Sequence, residues 1–233
     1  VFNKKFIQKD LYYRIPSLNK EGLHIFLKMI NNPKAIQLQS IGKVFSGELD
    51  MTIHKKFFSE KKDDKYSSPI LKGANIQSFY TTNDVSQGKN EFLNAKSFLK
   101  KNKSTRSNSF KFNRIAMQGI SSVPMKYRLV SCQVKKDYFL ANSTNFIIKT
   151  SDNFTNNEII VCLNSKLLNW FFKIFSTNVN VSTYEINILP LLKFSNKNKE
   201  LIEKNFQDYT KSDHSNFANN MNNIIYETFE LSK

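Results

Sequence analysis

"FNRIAMQGISSVPMKYRLVSCQVKKDYFLANSTNFIIKT", residues 112–150, is the stretch of sequence that decides the fold. Short runs of apolar and β-branched residues alternate in it with Gly, Pro, Asn, Asp and Ser. The runs favour extended structure, and the residues between them favour turns. With the two residues before it, the stretch therefore predicts four successive short β-strands, within residues 110–121, 126–134, 137–143 and 145–150.

The pattern changes on the C-terminal side of this stretch. Residues 151–176 contain an apolar run far too long for one strand, and Thr155 is among the residues near its start that can cap a helix. The pair Asn164–Ser165 predicts a break that divides the run into two helices. Residues 181–194 are predicted to return to extended structure, which ends at Pro190.

Both ends of the chain are predicted to be helical. Residues 21–32, EGLHIFLKMINN, have apolar side chains at helical spacing, and "NNP" ends that helix. Its apolar face consists of Leu23, Phe26, Leu27 and Ile30. Residues 196–231 carry two further apolar faces. These are formed by Leu201, Ile202 and Phe206, and by Phe217, Met221, Ile224, Ile225 and Phe229.

The segments between the first helix and residue 110 are shorter and more polar. Val44, Gly47 and an alternation around Leu49, Met51 and Ile53 predict a strand, a turn and a second strand. "SSPILKGANIQSFY", residues 67–80, predicts a tight bend at the Lys-Gly pair and a strand over its last five residues. The polar segment 81–110 predicts one short helix, near residues 92–99.

These elements together predict an α+β fold with a mixed, twisted sheet and a helical C-terminal appendage. We expect a lead-in segment with a short helix in residues 1–33, the main domain in 34–195, and C-terminal helices in 196–233. Those helices are expected to pack on the domain or on the remainder of a longer protein. The first residue is not Met, which also leads us to expect a fragment or an internal domain.

The charge of the chain predicts a polyanionic partner. The formal net charge is +16 at pH 7, which is typical of proteins that bind nucleic acid. The chain is also rich in Lys, Asn, Ile and Phe, a composition that an A/T-rich genome produces, but such drift would spread the charge. Instead, residues 89–136 contain twelve lysines and arginines and one acid, Glu91. We therefore expect this span to contact phosphates.

Several classes of protein lack support in the sequence. No apolar run reaches 18 residues and no signal peptide is visible, so we expect a cytoplasmic protein without a membrane partner. Cys132 and Cys162 lie in apolar surroundings, which predicts buried, reduced thiols rather than a disulfide or a zinc site. The Phe residues are expected to face the core, which argues against an RNA-binding module with exposed stacking aromatics.

No motif of a catalytic site is present. An adenine-N6 methyltransferase needs an Asn/Asp-Pro-Pro-aromatic loop and a Gly-rich cofactor loop, and the chain has neither. Asp50 followed by Glu60–Lys62, or by Asp63–Lys65, loosely matches the acids and lysine of a metal-dependent nuclease. A Mg-dependent nuclease stays open as an alternative, but we expect no catalytic and no metal-binding residues here.

The order of the segments resembles a known family. The relevant segments are IGKVFSGELDMT, PILKGANIQSFY, the stretch from residue 112, EIIVCLNSKLLNWFFKIFS, STYEINILPL and NNMNNIIYETFELSK. From about Lys34 to Leu231 the chain is similar to the TaqI-like C-terminal specificity domain. That domain is the target recognition domain of type IIG restriction–modification enzymes and related adenine-N6 DNA methyltransferases. Type I specificity subunits share the architecture, so a fragment of such a subunit is an alternative.

The resemblance implies a module that recognises double-stranded DNA and presents it to a methyltransferase and endonuclease core outside this chain. S-adenosylmethionine and Mg are implied for that parent enzyme and no cofactor for the chain itself. Segment 81–110, which matches nothing in the family pattern, is expected to help set the target sequence. Glu48 and Asp50 are expected to fix a turn or to accept a hydrogen bond from cytosine. The residues expected to contact DNA are Lys72, Gln77, Lys100, Lys101, Lys103, Arg106, Lys111, Arg114, Gln118, Lys126 and Arg128.

Overall fold

A computed structural model describes residues 18–85 and 88–231 of the 233-residue chain; most of the predicted lead-in segment lies outside these residues. The helices are α1 (Lys20–Ile30), α2 (Ala95–Lys101), α3 (Asn156–Asn164), α4 (Lys166–Phe175), α5 (Thr183–Asn187), α6 (Asn196–Asp208) and α7 (His214–Thr228). The strands are β1 (Ala35–Gln37), β2 (Gly42–Ser46), β3 (Phe58–Ser59), β4 (Ser68–Leu71), β5 (Glu91–Leu93), β6 (Arg114–Gln118), β7 (Ser131–Val134), β8 (Phe139–Leu140), β9 (Thr144–Lys149) and β10 (Pro190–Leu192).

The stretch from residue 112 contains the four strands β6, β7, β8 and β9, as predicted, and three of them lie in the central sheet. Strands β2, β9, β6 and β7 form an antiparallel sheet in that order, in which β2 pairs with β9, β9 with β6, and β6 with β7. Ile147 of β9 lies opposite Val44 on one side and opposite Ile115 on the other. β-branched residues pack well against such neighbours on a pleated surface, so this register stabilises the central sheet.

The remaining strands form a second sheet and a strand pair. The second sheet has the order β3-β5-β4-β8 and is mixed, because β4 and β8 run parallel while its other pairs are antiparallel. Strands β1 and β10, far apart in sequence, pair antiparallel. The α+β class is confirmed, with the predicted mixed sheet accompanied by an antiparallel one.

One large hydrophobic cluster joins the helices to the central sheet. It includes Phe26 of α1, Ile115 of β6, Phe172 of α4, Ile202 of α6 and Phe217 of α7, all at most 3% exposed. The C-terminal helices therefore pack on the rest of the domain and share its core. The domain boundaries at residues 33 and 195 stay predictions.

The predicted break between two helices is confirmed. Thr155 caps α3 through a hydrogen bond from the backbone N–H of Glu158, whose carboxylate accepts in return from the N–H of Thr155. The backbone of Ser165 is extended, and its hydroxyl accepts from the N–H of Leu168 to begin α4. Such reciprocal caps satisfy N–H groups that a helix start leaves without partners.

Two predicted strands are wrong, because local hydrogen bonds fold the chain into turns. Oδ1 of Asp50 accepts from the N–H groups of Thr52 and Ile53, at 2.9 and 2.8 Å, which fixes a turn where the apolar alternation predicted a strand. Further along, the N–H of Gln77 donates to the carbonyl of Tyr80 at 2.9 Å. Residues 76–80 therefore fold back on themselves.

Smaller differences occur in three helices. In α1, Met29 is buried whereas Leu27 is 37% exposed, so the buried face is rotated from the predicted one. The helix predicted near residues 92–99 begins at Ala95, after strand β5. Residues 181–194 are not wholly extended: a cap between Ser182 and Glu185 starts α5, and the strand begins rather than ends at Pro190.

The two cysteines are buried, as their apolar surroundings predicted. Cys132 and Cys162 are buried free thiols, and burial raises the pKa of Cys132 to about 12. Among the helices of residues 18–85 and 88–231, none combines the length and the apolar character needed to cross a membrane.

Candidate nucleic-acid interface

Three loops meet at the turn between β8 and β9. The N–H of Asn142 in this turn donates to the carbonyl of Leu49, at 2.7 Å. The hydroxyl of Ser143 accepts from the N–H of Gly73 at 3.0 Å, and its carbonyl accepts from the N–H of Gly119 at 2.9 Å. We call the assembly of residues 47–50, 72–77, 119–126 and 141–143 the loop edge.

Three glycines allow the loops to come this close. A Cβ atom at Gly47 would lie 1.9 Å from the carbonyl oxygen of Ala141. A Cβ atom at Gly73 would lie 2.8 Å, and one at Gly119 3.0 Å, from the carbonyl oxygen of Ser143. These main-chain contacts require the absence of a side chain, which explains why three of the segments in the family resemblance contain glycine at these places.

Further hydrogen bonds fix the loop that contains Lys72. Its N–H donates to Oδ1 of Asn75 at 2.8 Å. Its ammonium group forms an ion pair with Glu91 at 2.5 Å, so this lysine is already engaged within the protein. Gln77 donates to the carbonyl of Ala74 at 3.1 Å, and Gln118 donates to that of Ile76 at 2.9 Å. The loop edge is thus organised before any partner binds.

Arg114 lies in the interior and binds Glu48 of the loop edge. The side chains of Arg114 and Glu48 are fully buried and form an ion pair at 2.8 Å. Arg114 also donates to Oγ of Ser109 and to the carbonyl of Tyr138, each at 2.6 Å. Its guanidinium lies 5.0 Å from the centre of the Phe146 ring. The guanidinium of Arg114 is therefore inaccessible to DNA. The carboxylate of Glu48 neutralises this buried charge.

Arg128 is also fully buried and joins two loops. Its Nη1 donates to the carbonyl and the hydroxyl of Ser176, at 2.9 and 3.0 Å, and its Nη2 donates to the carbonyl of Asn178. The guanidinium lies 5.0 Å from the centre of the Phe172 ring. Arg128 therefore fixes residues 176–178 beside the loop edge rather than reaching solvent.

Replacing Arg128 with methionine is expected to lower the free energy of unfolding by about 2 kcal/mol, because buried carbonyl groups lose their donors. Lys126→Met removes the same charge from an exposed position two residues away and is expected to change stability by less than about 0.5 kcal/mol. Urea unfolding of both variants measures the difference. Equal stability of the two variants would contradict the assigned role of Arg128.

The other predicted cations lie on the surface. Phe98 anchors α2 in the core beside the rings of Phe57 and Phe139, which leaves the lysines of that helix in solvent. Arg106 is half-buried and donates to the carbonyl of Gly47 at 2.7 Å, at the border of the loop edge. The exposed cations of the prediction are Lys100, Lys101, Lys103, Lys111 and Lys126.

Asn142 is a residue that the sequence reasoning missed. It is exposed at the centre of the loop edge, and its Nδ2 lies 3.5 Å from Oδ2 of Asp50. Backbone N–H groups of Ile53 and Thr52 lower the pKa of Asp50, so this carboxylate is charged at neutral pH. The "ANS" turn after β8 was the available signal, but only the topology shows that three other loops surround it.

The residues of the nuclease alternative are not gathered into a metal site. Asp50 fixes its own turn, and Glu60 forms an ion pair with Lys89 at 2.7 Å. Oδ1 of Asp63 accepts from the N–H groups of Lys65 and Tyr66. Within the described part of the chain, no group of three or more His, Cys, Asp or Glu residues could hold a metal ion.

Comparison with solved structures gives the same architecture. The type IIL restriction-modification enzyme MmeI in complex with DNA is 11% identical, with a TM-score of 0.56 over 87% of this chain and 35% of that one. The type IIG restriction endonuclease BpuSI is 9% identical, with a TM-score of 0.53 over 91% of this chain and 34% of that one. The chain thus spans about a third of either structure, and at these identities the likeness concerns the fold alone.

A search of curated protein sequences gives no match. The family model described as "TaqI-like C-terminal specificity domain" matches residues 68–194, which is more than half of the chain. The matched range contains strands β4 to β10 and three of the four segments of the loop edge. The chain belongs to the family of TaqI-like C-terminal specificity domains.

Proposed function

We propose that this chain recognises a specific sequence in double-stranded DNA, as the target recognition part of a restriction–modification enzyme. The observation that carries the proposal is the loop edge, where four loops are fixed by main-chain contacts around Asn142 and Ser143. Loops on a rigid support are where binding residues concentrate. The exposed lysines of residues 100–126 supply the positive charge that a phosphate backbone attracts.

The side chains divide into two kinds of contact. The exposed lysines, together with Arg106 at the border of the loop edge, are suited to phosphates, which position a protein on the duplex but carry no sequence information. Gln77 and Asn142 have amide groups that can pair with adenine N6 and N7 in the major groove, and the Asp50 carboxylate can accept from cytosine N4. Asp50 and Asn142 lie together, so they are placed to contact adjacent base pairs.

The methyltransferase and endonuclease activities are assigned to a part of the enzyme outside this chain. The family model covers a specificity domain, and this chain covers only 35% and 34% of the two solved structures named above. In the described part of the chain no group of three or more His, Cys, Asp or Glu residues could hold Mg, and the sequence lacks a Gly-rich cofactor loop. In this proposal, other parts of the parent enzyme bind both cofactors.

The test is fluorescence anisotropy of the chain on a random pool of 30-base-pair duplexes, titrated with salt. We expect duplex binding with a log–log salt slope of several units. Replacing Lys100, Lys101 and Lys103 by glutamine is expected to reduce the slope by about 2–3, since each lost phosphate contact removes about 0.9. Glutamine at Lys193, Lys197 and Lys204, which are exposed on and beside α6, is the matched control and should leave the slope unchanged.

Selection from the same pool then gives the recognised sequence. Absence of duplex binding at low salt, or preference for single strands, would contradict the proposal. Equal slopes for the two triple variants would instead contradict only the place of the phosphate contacts.

A further inference from the structure

An exposed apolar surface extends from the loop edge onto the adjoining loop that contains Val179. Ile120, Val123, Met125 and Val179 are 56%, 39%, 55% and 52% exposed, although all four are large aliphatic residues. We call these four residues the apolar lip. Single exposed apolar residues are normal on a protein surface, but several on two adjoining loops indicate a binding surface.

The apolar lip is held in place by its backbone. The N–H of Ser121 donates to the carbonyl of Val179 at 2.8 Å, and the N–H of Val181 donates to that of Gly119 at 2.9 Å. Buried Arg128 binds the carbonyls of the second loop, as described above. The exposure of these side chains is therefore a property of a fixed structure, not of a loop without partners.

The tip of the first loop has an unusual residue for a turn. The N–H of Met125 donates to the carbonyl of Ser122 at 3.1 Å, which places Val123 and Pro124 at the centre of a tight turn. Pro124 suits such a turn, but Val123 stands where turns more often carry Gly, Asn, Asp or Ser, which suit both the backbone and water. An apolar side chain at an exposed tip does not interact favourably with water, so a partner that covers it explains its presence.

The charges around the lip favour DNA as this partner. Residues 113–136 and 173–181 contain no acid, and the exposed Lys126 and Lys173 flank the lip. Lys173 also donates to the carbonyl of Met125 at 3.1 Å. Duplex DNA combines two anionic phosphate backbones with apolar stacked bases between them. A surface that combines cations with aliphatic side chains is complementary to both.

We propose that the apolar lip inserts between adjacent base pairs and partly unstacks them beside the sequence that the loop edge reads. This inference rests on the proposed function. Aliphatic residues such as Ile and Met act in this way in other DNA-binding proteins, where unstacking bends the duplex towards more of the protein surface. Three of the four lip residues belong to the loop edge, in which the N–H of Gly119 binds Ser143, so both surfaces meet the same duplex.

The experiment uses permanganate, which oxidises thymines whose bases are unstacked. The substrate is a duplex selected from the random pool with the unchanged chain. We expect thymines at one base step to become several-fold more reactive when the chain binds. Ile120→Ala/Met125→Ala should abolish this increase and weaken binding about tenfold at an unchanged salt slope. Leu27→Ala/Leu201→Ala, at exposed positions on α1 and α6, is the matched control and should behave as the unchanged chain.

The outcomes separate this inference from the proposed function. Duplex binding without any reactive thymine, or with the same reactivity in the lip variant, overturns the inference and leaves the proposed function standing. Loss of duplex binding by the unchanged chain overturns both. A lip variant that binds duplex normally but no longer associates with a purified methyltransferase part would show that the lip contacts protein instead, which also overturns the inference.

Discussion

Replacing Gly47 with alanine is expected to destabilise the fold by more than about 3 kcal/mol, beyond the usual cost of overpacking. The new Cβ atom would lie 1.9 Å from the carbonyl oxygen of Ala141 and 2.5 Å from its carbonyl carbon. Neither atom can rotate away, because both belong to the main chain at the end of β8. The loop that contains Gly47 must therefore separate from the β8–β9 turn, and its hydrogen bond to Thr144 is lost with it.

Thermal unfolding measures this effect. A loss of 3 kcal/mol lowers Tm by about 6–12 °C in a chain of this size. Gly73→Ala provides a graded comparison, since its Cβ atom would lie 2.8 Å from the carbonyl oxygen of Ser143, and we expect a smaller loss of about 1–3 kcal/mol. A Tm of Gly47→Ala equal to that of the unchanged chain, or a larger loss for Gly73→Ala, would contradict the close approach described here.

Local signals were enough to predict the helices that follow the central strands. The cap at Thr155 and the break at Ser165 each depend on hydrogen bonds between residues three positions apart. Such signals are contained in a few neighbouring letters of sequence. The same holds for the strands of the stretch from residue 112, whose alternation and turn residues are visible without any knowledge of their partners.

The predictions failed where one side chain outweighed a pattern, or where partners are distant. Apolar alternation favoured a strand through Ile53, but the Asp50 carboxylate binds two backbone N–H groups there and leaves Ile53 71% exposed. The predicted phosphate contacts of residues 89–136 included arginines that are buried. Arg114 pairs with Glu48, 66 positions away, and Arg128 binds carbonyls 48 and 50 positions away, so the sequence alone could not show that both are buried.

The candidate site was predictable in its parts but not as an assembly. Gly47, Gly73 and Gly119 lie in segments that the family resemblance had already marked. Their meeting at Ala141 and Ser143 follows from the parallel pairing of β4 with β8 and from the antiparallel pairing of β6 with β9. Neither pairing leaves a local trace in the sequence, which is why Asn142 was overlooked.

Replacing Arg114 with methionine is expected to lower the free energy of unfolding by about 3–5 kcal/mol at pH 8, since it leaves the buried Glu48 carboxylate without its counterion. The loss also includes the hydrogen bonds to Ser109 and Tyr138. Urea unfolding measures it. Lys111→Met, at an exposed position in the same segment, removes an equal charge and should cost less than about 0.5 kcal/mol.

The cost of Arg114→Met is expected to fall as the pH is lowered. Burial raises the pKa of Glu48 even in the unchanged chain, while the charge and the hydrogen bond of Arg114 act in the opposite direction. Removing Arg114 raises this pKa further. A carboxyl group whose pKa is higher in the folded than in the unfolded state favours folding as it takes up its proton. The variant should therefore regain stability, relative to the unchanged chain, between its folded pKa and the unfolded pKa near 4.5.

The double variant Glu48→Met/Arg114→Met is expected to recover at least about half of the loss at pH 8, because it removes the buried charge together with its partner. Oε2 of Glu48 and Nε of Arg114 have no hydrogen-bond partner among residues 18–85 and 88–231, so apolar side chains there replace a pair that is only partly satisfied. The double variant should also lose the pH dependence of the single one. If it is as unstable as Arg114→Met at every pH, the bonds to Ser109 and Tyr138 account for the role of Arg114 rather than the ion pair.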